Sequence, residues 1–454
     1  MSIFKLCLTA DFPFLEEMGN LQKQWVYAKS AYNIIVPFSD SKNVLFNAMT
    51  KKFFYISKHN TAACLFMLNN IESFLSDEAK GFVEKLYDNG FVIDDDRDEL
   101  SELKSLFYEY KNNKVLNLMI LTTYSCNFSC WCCVQKHKGI ILSKELERKI
   151  ERHIESYIKK NSIEHLTLSW FGGEPLLNVG SISRISEFAI DFCAKNAIGF
   201  NNAITTNGSL LTASLIQTMK DLSFNSFQIT IDGEQANHNK TRFNDKIQDS
   251  FSLILQNIVM LTKMIPEADI TCRINYTKNN LTDNFPEETD AFLHSVKDRI
   301  TLLFRKVWQE NETPTMDDKL TAIIRTFHHK GYRILSDYDE IKLSVCYVEC
   351  SNHHSIYPDG RVDRCSNKDI YDARGYLTDN GEIVWNTVPR ECDSNVFTRM
   401  GDCLSCQYLP LCMGPCPETR RHLRENEKLK CVFDDKDAHF QNDIRCYCIT
   451  KENK

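Results

Sequence analysis

Apolar and polar residues change rhythm along this 454-residue chain, and the change comes near Val115. From there on, short apolar runs alternate with longer stretches of helical period, the pattern of parallel α/β architecture. The runs predict strands over Val115–Leu121, His165–Phe171, Asn201–Thr205, Ser226–Ile231, Asp269–Asn275 and Leu302–Val307. Between the first two, Leu146, Ile150, Ile154 and Ile158 recur every four residues in Ser143–Lys160, forming the apolar stripe of one helix. Six strands with intervening helices predict an open, partial (β/α)6 barrel of TIM-like kind. Active-site loops of such barrels follow the C-terminal ends of the strands. Here those loops carry three spaced cysteines, then Gly172-Gly173-Glu174-Pro175, then Asn207-Gly208, then Asp232-Gly233. Four polar or glycine-rich segments therefore fall at one face.

The residues before Val115 read differently. Tyr32–Phe38, Asn43–Ala48 and Lys52–Ile56 predict three short strands. Helical stretches follow at His59–Asn69, Ser76–Asn89 and Glu99–Lys111, with an acidic run at Asp94–Asp98. Three strands followed by helices, with the phrase KLYDNGFVID, resemble a winged-helix peptide-binding domain; the alternative is a purely structural extension. The expected joints are the Asp94–Asp98 segment with its following helix, and Ser336–Lys342. They divide the chain into residues 1–112, 113–335 and 336–454.

Composition narrows the function classes. Hydrophobic residues make up 43% and charged residues 25%, an ordinary globular balance. Formal net charge is -7, and no long Lys/Arg block points to nucleic acid. No apolar run reaches the roughly 18 residues of a membrane helix. MSIFKLCLTADFPFLEE turns acidic before a secretory core can form, which predicts a cytoplasmic protein. Nineteen cysteines in such a chain suggest metal ligands or catalytic groups rather than disulfides. Only Cys7 and Cys64 precede the first motif, while eleven lie between Cys346 and Cys448.

That first motif is TTYSCNFSCWCCVQ, with Cys126, Cys130 and Cys133 spaced C-x3-C-x2-C. Three thiolates on one short loop can hold three irons of a four-iron cluster and leave the fourth open. The spacing resembles the signature of radical S-adenosylmethionine (SAM) enzymes. Cys132 stands where that family usually has an aromatic, and reads as a packed thiol. The competing reading is a Cys3His zinc site closed by His137.

The resemblance implies that the open iron binds the amino and carboxylate groups of SAM, and that an electron from the cluster yields a 5′-deoxyadenosyl radical. It also implies roles for other residues. Gly172, Gly173, Glu174 and Pro175 match the GGEP-type segment that meets the SAM amino group. Thr206, Asn207, Thr230 and Asp232 sit at strand ends that address its ribose and carboxylate. Arg242, in QITIDGEQANHNKTR with His238, is placed to pair with the carboxylate. An external electron donor such as ferredoxin or flavodoxin is implied too.

The C-terminal cysteines read Cys346-x3-Cys350-x9-Gly360-x4-Cys365, then Cys403-x2-Cys406-x5-Cys412-x3-Cys416-x14-Cys431. They resemble the SPASM domain of peptide and protein maturases, a Cys-rich iron–sulfur module. That resemblance implies two auxiliary 4Fe-4S clusters, one on Cys346, Cys350, Cys365 and Cys416, the other on Cys403, Cys406, Cys412 and Cys431. With the cluster that binds SAM, this makes three. Full ligation by eight cysteines suits the auxiliary pair to passing an electron from a substrate radical. The first gap is shorter than in sulfatase-maturing relatives, and Cys392, Cys446 and Cys448 fall outside the pattern. Structural zinc knuckles are the alternative.

Together the motifs imply a radical SAM/SPASM peptide maturase. Its N-terminal domain, similar to a RiPP recognition element (RiPPs are ribosomally made, post-translationally modified peptides), would bind the leader of a precursor peptide. The product would be a thioether or a carbon–carbon crosslink. The rival within the class is an anaerobic sulfatase-maturing enzyme, which makes formylglycine. Those relatives place an aspartate base after the cysteine matching Cys365, where this chain has Ser366, although Asp363 and Asp369 lie nearby. No catalytic base is named by the sequence. A reading from another class is a non-catalytic, zinc-rich scaffold for a partner peptide.

Overall fold

The computed structural model describes residues 26–452 apart from 75–76, 136, 278, 308, 310–317, 337, 339–342, 344, 367–373, 387–394, 399–400 and 421–429. The stretch read for a signal peptide, Cys7, Asp369, Cys392 and most of the Ser336–Lys342 joint lie outside the described residues. Among the described residues, no helix is long and apolar enough to cross a membrane.

The chain opens with β1 (Tyr27–Lys29), β2 (Asn33–Pro37), β3 (Lys42–Asn47), β4 (Phe53–Ser57) and β5 (Val92–Asp94). β2, β3 and β4 form an antiparallel sheet in that order, and β1 pairs with β5. Helices 61–69 and 77–88 fall between β4 and β5, and helix 99–111 follows. Leu45, Met67, Leu68, Val83, Leu86 and Phe91 form a separate small core there.

The central strands are β6 (Val115–Leu121), a two-residue β7 (Ser129–Cys130), β8 (His165–Phe171), β9 (Gly199–Thr206), β10 (Phe224–Ile231), a two-residue β11 (Arg242–Phe243), β12 (Asp269–Tyr276), β13 (Ile300–Lys306) and a short β14 (Arg333–Ile334). β6, β8, β9, β10, β12, β13 and β14 lie side by side, all parallel, in chain order. This is the expected α/β sheet. Burial alternates along the first strand: Leu116, Leu118 and Ile120 are buried under the helices while Asn117 and Met119 face the other way. That alternation follows from the two-residue period of a strand.

Helix 144–161 shows how the sequence starts and aims an element. The Ser143 side chain accepts from the Leu146 N–H as N-cap, and Ser162 ends the helix in the left-handed region. Leu146, Ile150, Ile154 and Ile158 are buried, as the four-residue repeat requires. Each such side chain contributes about 1.5–3 kcal/mol of burial free energy.

The sheet does not stop at the barrel. β15 (His353–Ile356), β16 (Arg361–Asp363), β17 (Gly375–Leu377) and β18 (Ile383–Trp385) continue it. β15 pairs in parallel with β6, from His353↔Asn117 to Ile356↔Ile120, and the rest follow antiparallel, giving eleven strands. The C-terminal helix 436–450 then runs back to the start of the chain. Its Tyr447 ring meets Phe46 and Phe53 edge-on, and its hydroxyl donates to the Lys51 carbonyl at 3.4 Å.

Candidate active site

The cysteine loop leaves the C-terminal end of β6 and is fastened on several sides. β7 within the loop pairs with β11, which sets Cys130 opposite Arg242. Asn244 Nδ2 donates to the Asn127 carbonyl at 2.5 Å, and Asn127 Nδ2 donates to Ser209 Oγ at 2.9 Å. Gln309 Nε2 donates to the Cys132 carbonyl at 2.9 Å. A fixed loop of this kind presents side chains that need not be ordered when a ligand arrives.

Cys126 and Cys130 are half-buried and Cys133 is exposed. The Phe128 N–H donates to Cys126 Sγ at 3.4 Å, and Asn207 Nδ2 approaches the same sulfur at 3.9 Å. Burial pushes the Cys126 thiol up to about 11, with Glu174, Cys130 and Cys133 adding to the rise. Cys130 and Cys133 line an open cavity of about 470 Å³ with Trp131, Gln135, His137 and Thr241. His137 Nε2 lies 3.7 Å from Cys133 Sγ, a contact of the Cys3His reading. Among the described residues, no three His, Cys, Asp or Glu side chains converge on a point for a single metal ion. Cys132 shares Asp232 and Arg242 with Cys130: burial and Asp232 raise its pKa to about 11, while Arg242 opposes the rise.

The glycine pair is required by the packing of the second loop on the first. A Cβ on Gly172, which has φ +130°, would lie 2.4 Å from the Thr123 carbonyl oxygen. One on Gly173 would lie 2.1 Å from that of Ser125. Without side chains, the backbone closes: Gly173 N–H donates to Thr123 O at 2.9 Å and Glu174 N–H to Ser125 O at 2.8 Å. Glu174 is fully buried and does not face the cavity. Its carboxylate accepts from Leu176 N, from Thr206 Oγ1 at 2.7 Å and from Asn207 N at 2.8 Å. It therefore pins the end of β9 to the end of β8, a role the motif did not announce. Pro175 begins the short turn that follows, and the Thr122 hydroxyl donates to its carbonyl.

Thr230 is buried at the end of β10, and Asp232 follows it. Arg242 Nε lies 3.1 Å from Asp232 Oδ1, and both side chains are buried. Burial works against the Arg242 charge, but Asp232 and Cys130 hold it protonated. His238 Nδ1 accepts from the Asp232 N–H at 3.2 Å. Burial, then Arg242, lowers its pKa to about 3, so the ring is neutral. Asp232, Arg242 and His238 thus form one buried unit beneath Cys130. Arg273 adds to it: burial, then Arg305 and Arg242, lower its pKa, which places three arginines at this end of the barrel. Strand parity could have found Arg273 and Arg305, because each shares the inward phase of its strand.

The described C-terminal cysteines are spread over several places. Cys403, Cys406, Cys412 and Cys431 line one cavity of about 50 Å³, closed by Tyr408, Phe433 and Phe440. Cys346 is near Cys416 and Cys365: burial and then those thiols push it up to about 11. Cys350 is buried on the other side, with Asn113 Nδ2 at 3.4 Å from its sulfur. Cys446 is half-buried and Cys448 fully buried in helix 436–450, where both pack in the main core. Ser366 Oγ lies 3.0 Å from the Tyr347 hydroxyl, and Gln135 Nε2 from the first loop donates to the Ser366 carbonyl at 3.2 Å. Asp363 is engaged by Arg374, whose Nη2 and Nε donate to its two oxygens at 2.6 and 3.2 Å.

These donors fit iron–sulfur clusters: thiol-only sets on a fixed loop and around an apolar cavity match the chemistry of cluster iron. Residues 120–293 match the Radical SAM superfamily. A cyclopropyl synthase from Paramaledivibacter caminithermalis, TigE, is 22% identical over 82% of this chain and 83% of its own length. A cysteine-type anaerobic sulfatase-maturating enzyme from Clostridium novyi is 24% identical over 67% of this chain and 88% of its own. The solved structure of anSMEcpe with bound AdoMet and Cp18Cys peptide superposes with a TM-score of 0.53 at 18% identity, covering 74% of this chain and 98% of that one. That likeness shows the fold.

Proposed function

We propose that this radical SAM enzyme, which carries the superfamily's domain over residues 120–293, oxidatively modifies a ribosomally made peptide by closing a new bond within it. Cys126, Cys130 and Cys133 would hold the cluster that binds SAM, and that group supplies a 5′-deoxyadenosyl radical able to take hydrogen from an unactivated carbon. The chain's own residues position and shield. The buried Asp232–Arg242–His238 unit fixes the floor beneath Cys130, and Glu174 holds the second and third loops in register. Trp131, Val134, Ile141 and Phe243 are exposed around the same loop and offer apolar contact for a peptide.

The observation that carries the reading is the parallel pairing of β15 with β6. It sets the strand between Cys350 and Cys365 against the strand that leads into the three-cysteine loop, so that an auxiliary cluster would stand as electron acceptor for a substrate radical within the same body. Cys403, Cys406, Cys412 and Cys431 would hold one auxiliary cluster. The likeness to a cyclopropyl synthase supports carbon–carbon closure; a thioether is the other product considered. Residues 1–112 are the proposed leader-binding module, with a partial (β/α)6 barrel over 113–335 and the cluster domain over 336–454; ferredoxin or flavodoxin would supply electrons in the cytoplasm.

Formylglycine formation is the second reading, supported by the likeness to sulfatase maturases. Against it, Ser366 stands where an aspartate base is expected and bonds to Tyr347, while Asp363 is committed to Arg374. A base must reach the proton it takes. The test is anaerobic turnover with reductant and SAM, measuring 5′-deoxyadenosine against Cys133→Ala. Production is expected, with loss to background in the variant; equal yields from both would end the radical reading. A hydrazine probe of the modified peptide then separates an aldehyde product from a crosslink.

A further inference from the structure

The mouth of the barrel gathers guanidinium groups in a chain whose formal net charge is -7. Ile270, Cys272 and Ile274 of β12 pack in the main core, as do Ile300, Leu302 and Phe304 of β13. The two-residue period of a strand therefore sends Arg273, Asn275 and Arg305 to the inner face of the barrel. In the parallel ladder Asn275 stands beside Arg305, and Arg273 stands beside Thr230. Arg273 Nε donates to Asn275 Oδ1 at 2.9 Å, so one neutral amide lies between the two arginines. Arg242 is at the same end, opposite Cys130 in the β7–β11 pair.

The acid at this end of the barrel is already engaged. Asp232 Oδ1 lies 3.1 Å from Arg242 Nε, and its Oδ2 accepts from Thr241 Oγ1 at 3.2 Å. Among the described residues, Arg273 forms no ion pair, and no hydrogen bond takes its two Nη groups. Burial and the neighbouring Arg305 both work against its charge. A half-buried cation beside a second cation gains most from an anion placed between them. The free edge of the Arg273 guanidinium presents two parallel N–H donors, the fork that a carboxylate fills with both its oxygens. Arg242, the partner expected for the SAM carboxylate, is fixed by Asp232 on β11, whereas Arg273 and Arg305 belong to β12 and β13.

We propose that Arg273 and Arg305 form a carboxylate anchor for the substrate, so that the enzyme acts on a peptide carbon near an acidic side chain or a free C-terminus. The inference rests on the peptide-modifying reading above and narrows it to peptides that bring a carboxylate into the barrel. Binding is noncovalent. Asn275 fixes the Arg273 guanidinium through Nε, the two Nη groups donate to the carboxylate, and Arg305 adds its charge from the next strand. Strands hold such an anchor more exactly than loops do, and a fixed anchor sets the reacting carbon at a repeatable distance from the radical source.

The test is equilibrium binding to the reconstituted, unreduced enzyme with saturating SAM, which leaves SAM intact and its own carboxylate accommodated. Three probes are compared by ligand-observed NMR. N-acetylglutamate α-amide carries a side-chain carboxylate, N-acetylglycine carries a C-terminal one, and N-acetylglutamine α-amide is neutral. One of the acids is expected to bind about 10-fold more tightly than the neutral probe, and its identity names the source of the carboxylate. Arg273→Ala is expected to erase that preference, and Arg273→Lys to keep only part of it, because an ammonium lacks the fork. SAM affinity is expected to be the same in both variants as in the native chain. Should Arg273→Ala fail to fold, Arg305→Gln serves the same comparison with the same expectation. Equal binding of all three probes to the native enzyme overturns the proposal. So does a preference that survives the variants, tighter binding of inorganic phosphate than of either acid, or a parallel loss of SAM affinity, which would make these arginines part of the cofactor site. No readout uses SAM cleavage, so failure here is distinct from failure of the radical reading, which the deoxyadenosine assay reports, and of the peptide reading, which the modified product reports.

Discussion

Glu174 shows how one residue in a glycine-rich motif serves the fold. Its carboxylate accepts three hydrogen bonds across two loops with no access to solvent. Glu174→Ala leaves the Thr206 hydroxyl and the Leu176 and Asn207 amides without that acceptor, at a cost of about 1–3 kcal/mol for each unsatisfied buried group. We expect a lower melting temperature in the alanine variant and a smaller loss in Glu174→Gln, which keeps one acceptor oxygen; equal melting of all three would refute the role. The sequence places this residue in the loop after the second strand and does not assign its direction. GGEP spacing reports that backbone must pass close by, which the Gly172 and Gly173 contacts explain, but says nothing about where a side chain turns after the glycines. Cys350 is the same case: its spacing places it with ligands, and only the fold shows what its sulfur touches.

At the scale of elements, legibility followed burial pattern. Val115–Leu121 and His165–Phe171 are legible to the residue because burial alternates along nearly all of each strand, as it does in a strand under helices. β15 to β18 were not, being three or four residues long, too short for a period to register. Their attachment to the barrel is reinforced by a pair of imidazoles. His153 on helix 144–161 donates from Nδ1 to the Gly381 carbonyl at 2.7 Å, and its Nε2 accepts from His354 Nδ1 at 3.2 Å, the tautomers that satisfy both contacts. Burial lowers the His153 pKa to about 4. The folded state thus binds fewer protons than the unfolded chain between about pH 6.5 and that value, so stability is full above this window and falls as pH drops through it. The slope approaches about 1.4 kcal/mol per pH unit for this one ring. Urea midpoints of the iron-loaded enzyme at pH 7 and pH 5 should show a larger acid loss in the native chain than in His153→Gln; parallel losses would remove the histidine from the explanation.

Across the whole molecule, the first and last elements hold each other. One face of β2–β4 packs into the main core with Tyr447 and Ile444 of helix 436–450, and Tyr55 donates to Glu452 at 3.2 Å. Tyr447→Ala should remove about 3–5 kcal/mol of aromatic packing. Limited proteolysis should then release an N-terminal fragment of the variant early, while SAM cleavage without peptide persists; an unchanged rate of proteolysis would show that these residues are held elsewhere. The eleven-stranded sheet also sets a timetable for biogenesis. β6 cannot gain its outer neighbour until β15 has been translated, roughly 240 residues later, which at 5–20 residues per second is on the order of 10–50 s. Throughout that interval the nascent barrel exposes a bare strand edge beside an oxygen-vulnerable thiol loop. The order in which ribosome, chaperone and iron–sulfur delivery reach the chain therefore governs its yield, and slowing synthesis without raising cluster supply lengthens the hazard.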